Sequence, residues 1–106
     1  MNLFSTLADY KYAVINTSCR NASLLDITLF KNYDKGRKFM RESAREIQLL
    51  HRDGLVVNGK WQEVGKELHI DDDGCSVYVS DEDGKYMRWT IDLTKNLLMR
   101  VNTYNN

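Results

Sequence analysis

The fold is decided by residues 75–93, which read CSVYVSDEDGKYMRWTIDL. Apolar side chains alternate with polar ones on both sides of the acidic, glycine-ended centre, as in two antiparallel strands joined by a tight turn. A three-residue loop over residues 82–84 places Val79 opposite Met87 and Val77 opposite Trp89. Because this register keeps one face apolar, the stretch predicts a half-buried β-hairpin.

The same alternation extends from this hairpin in both directions. Upstream, a four-residue loop over residues 71–74 places Leu68 on the apolar face. Downstream, a three-residue loop over residues 94–96 places Ile91 opposite Met99 on that face. We therefore predict an antiparallel β-meander of four to five strands in the C-terminal half.

Residues 36–52 carry the pattern of an amphipathic helix. At 100° per residue, one side of this helix collects Phe39, Met40, Ser43, Ile47 and Leu50. Gly54 is a suitable C-terminal stop, and the Asn58-Gly59 pair that follows favours a type I′ turn. Packing this helix on the apolar face of the meander predicts an α+β fold.

The first 35 residues are less regular. Residues 1–11 favour a short helix and residues 12–17 a strand. Residues 24–33 are ambiguous: their alternation favours a strand, whereas Ser23 with Asp26 resembles the capping box of a helix. The β-rich composition favours the strand. This segment therefore adds one or two strands, or a helix.

Composition restricts the class of protein. A chain of 106 residues is the size of a single domain, spanning residues 1–106, and its 15 basic residues balance its 15 acidic ones. This balance argues against a protein that coats nucleic acid. We expect no membrane segment, since no apolar run approaches about 20 residues. Two distant cysteines and no secretory signal favour a cytoplasmic protein.

Motifs that would carry catalysis or bind a metal are missing from the sequence. His69 and Cys75 lack the paired spacing of a zinc site. The acidic runs 71–73 and 81–83 lack the alternating carboxylates of a calcium loop. There is no glycine-rich phosphate loop and no nucleophile elbow. We expect a protein that is not an enzyme and needs no cofactor or metal.

The polar face of the meander supplies the first candidate site. Glu67, Tyr78 and Arg88 are predicted to lie in one row across three strands, with Tyr86 and Arg100 extending it. Tyrosine and arginine are enriched among the residues that dominate binding energy, so these five residues are candidate partner-binding residues. The alternative is an ordinary solvated sheet face.

The helix supplies a second candidate site. Its predicted polar side gathers, within an arc of about 100°, the cations Arg37, Lys38, Arg41, Arg45 and Arg52. Residues 31–52 hold seven basic and three acidic side chains, whereas residues 53–92 hold four basic and ten acidic ones. Such a basic face suits a phosphate backbone or an acidic protein surface, although exposed helix faces are commonly charged.

These features favour a non-enzymatic interaction module that binds a protein partner and modulates or inhibits it. Small accessory and inhibitor proteins of phages and mobile elements, including those that counter host nucleases or defence systems, share this size; the comparison rests on size alone. The alternative is a nucleic-acid-binding protein that uses the basic face of the helix. An exposed edge strand could also pair two copies of the chain.

Overall fold

A computed structural model describes residues 9–53, 55–62 and 67–97, and its architecture is α+β. In chain order the elements are β1 (Tyr12–Ser18), β2 (Leu24–Phe30), α1 (Tyr33–Asp53), β3 (Leu55–Val57), β4 (Lys60–Gln62), β5 (His69–Asp72), β6 (Ser76–Asp81) and β7 (Gly84–Leu93). Five strands form one antiparallel sheet in the order β2-β1-β7-β6-β5, and β3 pairs with β4 separately. The helix packs on one face of the sheet. The predicted fold class is confirmed.

The β6–β7 hairpin has the predicted register in its body and a different tip. Val77 lies opposite Trp89 and Val79 opposite Met87, as predicted. At the tip Asp81 pairs with Gly84 across a two-residue turn, so the predicted three-residue loop is wrong. The extra residue is Tyr86, which sits in a β-bulge between the tip and the body of the hairpin.

Strand β5 is displaced relative to its predicted position. It places Asp72 opposite Val77, where Leu68 was expected. The turn that follows is set by Asp73, whose carboxylate accepts hydrogen bonds from the backbone N–H groups of Cys75 and Ser76, at 2.9 and 2.7 Å. Because the displacement is an even number of residues, Leu68 keeps its predicted face and is buried.

The predicted third hairpin of the meander is wrong. Strand β7 pairs with β1, so that Ile91 lies opposite Val14, and the chain becomes helical from Thr94. The Thr94 hydroxyl donates a 2.6 Å hydrogen bond to the Tyr10 carbonyl, which ties the end of β7 to the segment before β1. The expected partner of Ile91, Met99, lies outside the described residues. The sheet is therefore completed by N-terminal strands.

The N-terminal expectations are otherwise met where the structure describes them. The strand predicted at residues 12–17 is β1, and the ambiguous segment 24–33 contains β2. The helix predicted over residues 1–11 lies almost wholly outside the described residues. Asn58 and Gly59 have φ angles of 54° and 74°, as the predicted type I′ turn between β3 and β4 requires.

Helix α1 begins three residues before its predicted start. The side chain of Asn32 accepts hydrogen bonds from the backbone N–H groups of Asp34 and Lys35, at 2.8 and 3.2 Å, and so caps the first turn. Gly36 is buried against the sheet, and a Cβ atom there would lie 2.6 Å from Cδ1 of Ile91. Glycine thus lets the first turn approach the sheet closely.

The core lies between α1 and one face of the sheet, called here the inner face. Its buried members are Val14, Met40, Ala44, Leu68, Val77, Val79 and Trp89. The opposite face, called the outer face, carries Thr17, Tyr78 and Arg88 on the neighbouring strands β1, β6 and β7. The sequence therefore assigned the apolar and polar faces correctly in the body of the β6–β7 hairpin, between the bulge and the ends of the two strands.

Ion pairs with the Asp72 carboxylate join α1 to the inner face, and the shorter of them is formed by Arg37. Arg37 is only 8% exposed, and its guanidinium donates a 2.6 Å hydrogen bond to the Asp72 carboxylate. The backbone N–H of Gly74 donates a second hydrogen bond to the same oxygen, at 2.9 Å. The Arg37 hydrogen bond, and next the Gly74 one, hold the pKa of Asp72 below its ordinary value.

Acid should weaken the fold through Asp72 and Asp73. The hydrogen bonds from Ser76 and Cys75 also lower the pKa of Asp73. A carboxyl whose pKa is depressed by folding contributes stability above its unfolded pKa, near 3.8, and loses it as the pH falls through the lower folded value. We expect the free energy of unfolding, measured with urea, to decline below about pH 4.

An asparagine variant isolates this effect. Asp73→Asn keeps a side-chain oxygen for the turn but cannot titrate, so its stability should decline less between pH 6 and pH 3 than that of the parent. Asp71→Asn is the matched control, since Asp71 is exposed and adjacent to the ion pair in β5. Identical pH profiles for Asp73→Asn and the parent would contradict the assignment.

Candidate functional site

The outer face carries one row of side chains that crosses all five strands. Each residue of this row lies opposite the next in the order Leu24, Thr17, Arg88, Tyr78 and Asp71. The predicted pairing of Tyr78 with Arg88 is confirmed. The predicted neighbour Glu67 is not in this row, because the displacement of β5 brings Asp71 beside Tyr78 instead.

Tyr78 and Arg88 line a depression of about 310 Å³ on the outer face. The rest of its lining is Thr17, Ser18, Cys19, Ala22 and Lys85. The Lys85 ammonium lies 4.0 Å from the centroid of the Tyr78 ring, a cation–π contact that orients both side chains. Among the described residues, neither Lys85 nor Arg88 forms an ion pair with a carboxylate. Hydroxyl groups and two cations thus surround a space suited to an anionic group.

Lys85 was missed by the sequence reasoning because of the bulge. Simple alternation from Met87 places Lys85 on the inner face, but the bulge at Tyr86 returns it to the outer face, opposite Ser80. The sequence did carry one sign of the bulge, because Lys85 occupies a position that the alternation assigns to an apolar residue. Thr17 and Cys19 carried no such signal, since their approach to Arg88 depends on the β1–β7 pairing.

Tyr86 lies away from the depression. Its ring contacts the His51 ring at 5.4 Å, near the end of α1, and the Arg20 guanidinium lies 5.1 Å from its centroid. Arg20 in turn forms an ion pair with Asp81. The predicted position of Tyr86 on the outer face is therefore wrong, because the bulge turns it toward the helix. Arg100, the other predicted extension, lies outside the described residues.

The predicted basic stripe of α1 is interrupted in the structure. Arg37 is buried in its ion pair with Asp72, so its predicted position on an exposed face is wrong. The Lys38 ammonium lies 3.7 Å from the Glu42 carboxylate, and Arg41 lies 3.9 Å from the same Asp72. A helical wheel cannot reveal Asp72, which belongs to a strand 35 residues away.

Arg45 and Arg52 line a separate cleft of about 420 Å³ between α1 and the start of β5. Its other lining residues are Gln48, Leu49, Glu67, Leu68 and His69. The Gln48 amide donates a 2.8 Å hydrogen bond to the Leu68 carbonyl, which fixes the helix against this segment. Glu67 lines the same cleft, so its negative charge offsets part of the positive charge of the two arginines.

The part of the chain that the structure describes holds neither a metal-binding cluster nor a membrane-spanning helix. Within residues 9–53, 55–62 and 67–97, no three histidine, cysteine, aspartate or glutamate side chains are grouped so that they could hold a metal ion. Cys19 and Cys75 are exposed free thiols. Over the same residues, every helix is too short or too polar to cross a membrane.

Comparison of the chain with protein-family models, with curated proteins and with solved structures found no match.

Proposed function

We propose that this protein is a non-enzymatic interaction module whose outer face binds a protein partner and modulates or inhibits that partner. The observation that carries the proposal is the juxtaposition of Tyr78, Lys85 and Arg88 around one depression. Tyrosine and arginine are the residue types that most often dominate the energy of protein–protein binding. Here they are held by neighbouring strands of a sheet, so little conformational entropy is lost when a partner binds.

A protein partner accounts for this surface better than nucleic acid does. Phosphate backbones are bound by runs of accessible cations, whereas Arg37 is buried and Lys38 is already paired with Glu42. The cleft that holds Arg45 also contains the Glu67 carboxylate. The outer face combines the Tyr78 ring with aliphatic, hydroxyl and charged side chains, which is the mixed composition of a protein interface.

Affinity capture tests the proposal. The tagged chain is used to capture partners from a lysate of its source, with and without nuclease, and the affinity of the captured protein is then measured. We expect the complex to survive nuclease and Tyr78→Ala or Arg88→Ala to weaken it about 30-fold or more, as hot-spot residues do. Arg88→Ala should keep the parental melting temperature, because Arg88 is exposed, whereas Tyr78→Ala removes a half-buried ring and should lower the melting temperature modestly.

The matched control is the double variant Arg41→Gln with Arg45→Gln, which removes two cations from α1 without placing a carboxylate beside Asp72 and leaves the outer face unchanged. It should bind the partner like the parent. Recovery that disappears with nuclease and depends on Arg41 and Arg45 would contradict the proposal and support nucleic-acid binding by the basic face of α1.

A further inference from the structure

The outer face is divided into two chemically different zones. On β2 and β1, Ile27 lies opposite Ile15 and Leu24 lies opposite Thr17. Leu24 and Ile27 are 58% and 38% exposed and form a small aliphatic patch on the edge strand β2. Thr17 of β1 lies between Leu24 of β2 and Arg88 of β7, so the aliphatic zone borders on Arg88.

The second zone is the cationic depression. Its lining contains two cations, Lys85 and Arg88, and no carboxylate. The Thr17 side chain, on the same face as Arg88, adds a hydroxyl group to this lining. The nearest acid in the row, Asp71, lies on the far side of Tyr78. Lys85 and Arg88 form no ion pair with a described carboxylate, and the Asp73 carboxylate acts on Lys85 only through longer-range attraction, so an anionic group that enters the depression would stabilise both cations.

The dimensions of the two zones suit one short peptide segment. A space of about 310 Å³ is at the lower end of ligand-binding pockets, so it accommodates a side chain better than a cofactor. Leu24 and Arg88 are two strands apart, a distance of roughly 10 Å at the usual strand spacing. A few consecutive residues of a bound segment span that distance.

We infer that the bound partner presents an acidic segment with aliphatic neighbours. One carboxylate enters between Lys85 and Arg88, over the edge of the Tyr78 ring, and an aliphatic side chain covers Leu24 and Ile27. This inference rests on the proposed function, for which it names the partner's chemistry. Charge complementarity selects the acid, and the aliphatic zone selects a peptide over a phosphate backbone, which has no apolar group to place there.

An NMR titration with a synthetic peptide tests the inference. The probe is a blocked hexapeptide in which glutamate and leucine alternate, added to the isotope-labelled full chain. We expect amide shift changes at Thr17, Ser18, Lys85 and Arg88. Arg88→Gln and Lys85→Gln should each weaken binding at least tenfold, and Leu24→Ser several-fold. Lys95→Gln, which removes an exposed cation elsewhere, is the matched control and should bind like the parent.

Two parallel titrations separate the alternatives. A peptide with lysine in place of each glutamate should not bind, and neither should a short oligothymidylate. Equal binding of both peptides, preferential binding of the oligothymidylate, or no shift with the acidic peptide would overturn the inference. If capture of a protein still depends on Tyr78 and Arg88 in that last case, only the partner's acidic chemistry is wrong. If the acidic peptide binds but no protein is captured, the proposed function fails instead.

Discussion

Trp89→Ala is expected to lower the free energy of unfolding by about 3–5 kcal/mol. Trp89 is 3% exposed on β7, the middle strand of the sheet, where it lies opposite both Val77 and Asn16. Truncation removes the largest apolar side chain of the core and leaves a cavity beneath α1 that neighbouring strands cannot close. Urea denaturation followed by far-ultraviolet circular dichroism measures the loss. A domain of this size has a total stability of only about 5–15 kcal/mol, so the variant should be close to unfolding.

Leu50→Ala is the matched control for Trp89. Leu50 also belongs to the apolar pattern of α1 but is 40% exposed, so its truncation should cost about 1 kcal/mol or less. If Trp89→Ala melted like the parent, the assignment of the inner face would be wrong.

Asp72→Ala is expected to cost about 1–3 kcal/mol, because it leaves the buried Arg37 guanidinium without its carboxylate. The loss should be smaller than for a fully buried pair, since the Asp72 side chain retains 29% of its exposure and water can reach the site. Chemical denaturation at neutral pH measures this change.

A double variant separates the orphaned charge from the lost side chain. Arg37→Met combined with Asp72→Ala removes both charges and keeps an apolar chain beside Met40. It should be more stable than Asp72→Ala alone, because no buried charge is left unpaired. If the effects of the two substitutions on the free energy of unfolding were simply additive, Arg37 and Asp72 would not stabilise the fold through their interaction.

The parts of the candidate site that were predicted correctly depend on short-range geometry. Tyr78 faces Arg88 because both belong to one hairpin, in which apolar alternation sets the register. Lys85 and Tyr86 exchanged their expected faces because a single bulged residue inverts the alternation beyond it. A three-residue turn and a two-residue turn followed by a bulge give the same register in the body of the hairpin. The spacing of residues along the sequence therefore does not distinguish the two turns.

For helix α1, too, the local pattern was predicted correctly and a long-range contact was not. Its amphipathic pattern predicted which side packs on the sheet: Met40 is buried, and Phe39 and Ile47 pack against the core. Leu50, predicted on the same side, is 40% exposed near the end of the helix. Its basic face was misjudged at Arg37, because a helical wheel treats every cation as solvated unless an acid lies one turn away. The partner Asp72 comes from the edge strand β5, and the position of β5 was set by the hydrogen bonds of Asp73.

The amino-acid sequence by itself determined the α+β class, the apolar face in the body of the β6–β7 hairpin and the juxtaposition of Tyr78 with Arg88. These are properties of side-chain alternation over a few residues, and any fold that buries the apolar side must respect them. Only the tertiary structure decided that β1 lies beside β7, which brings Thr17 and the aliphatic side chains of β2 next to Arg88. β1 and β7 are far apart in the chain, so no local preference of the sequence selects their pairing. The pairing depends on which strand closes the core beneath α1.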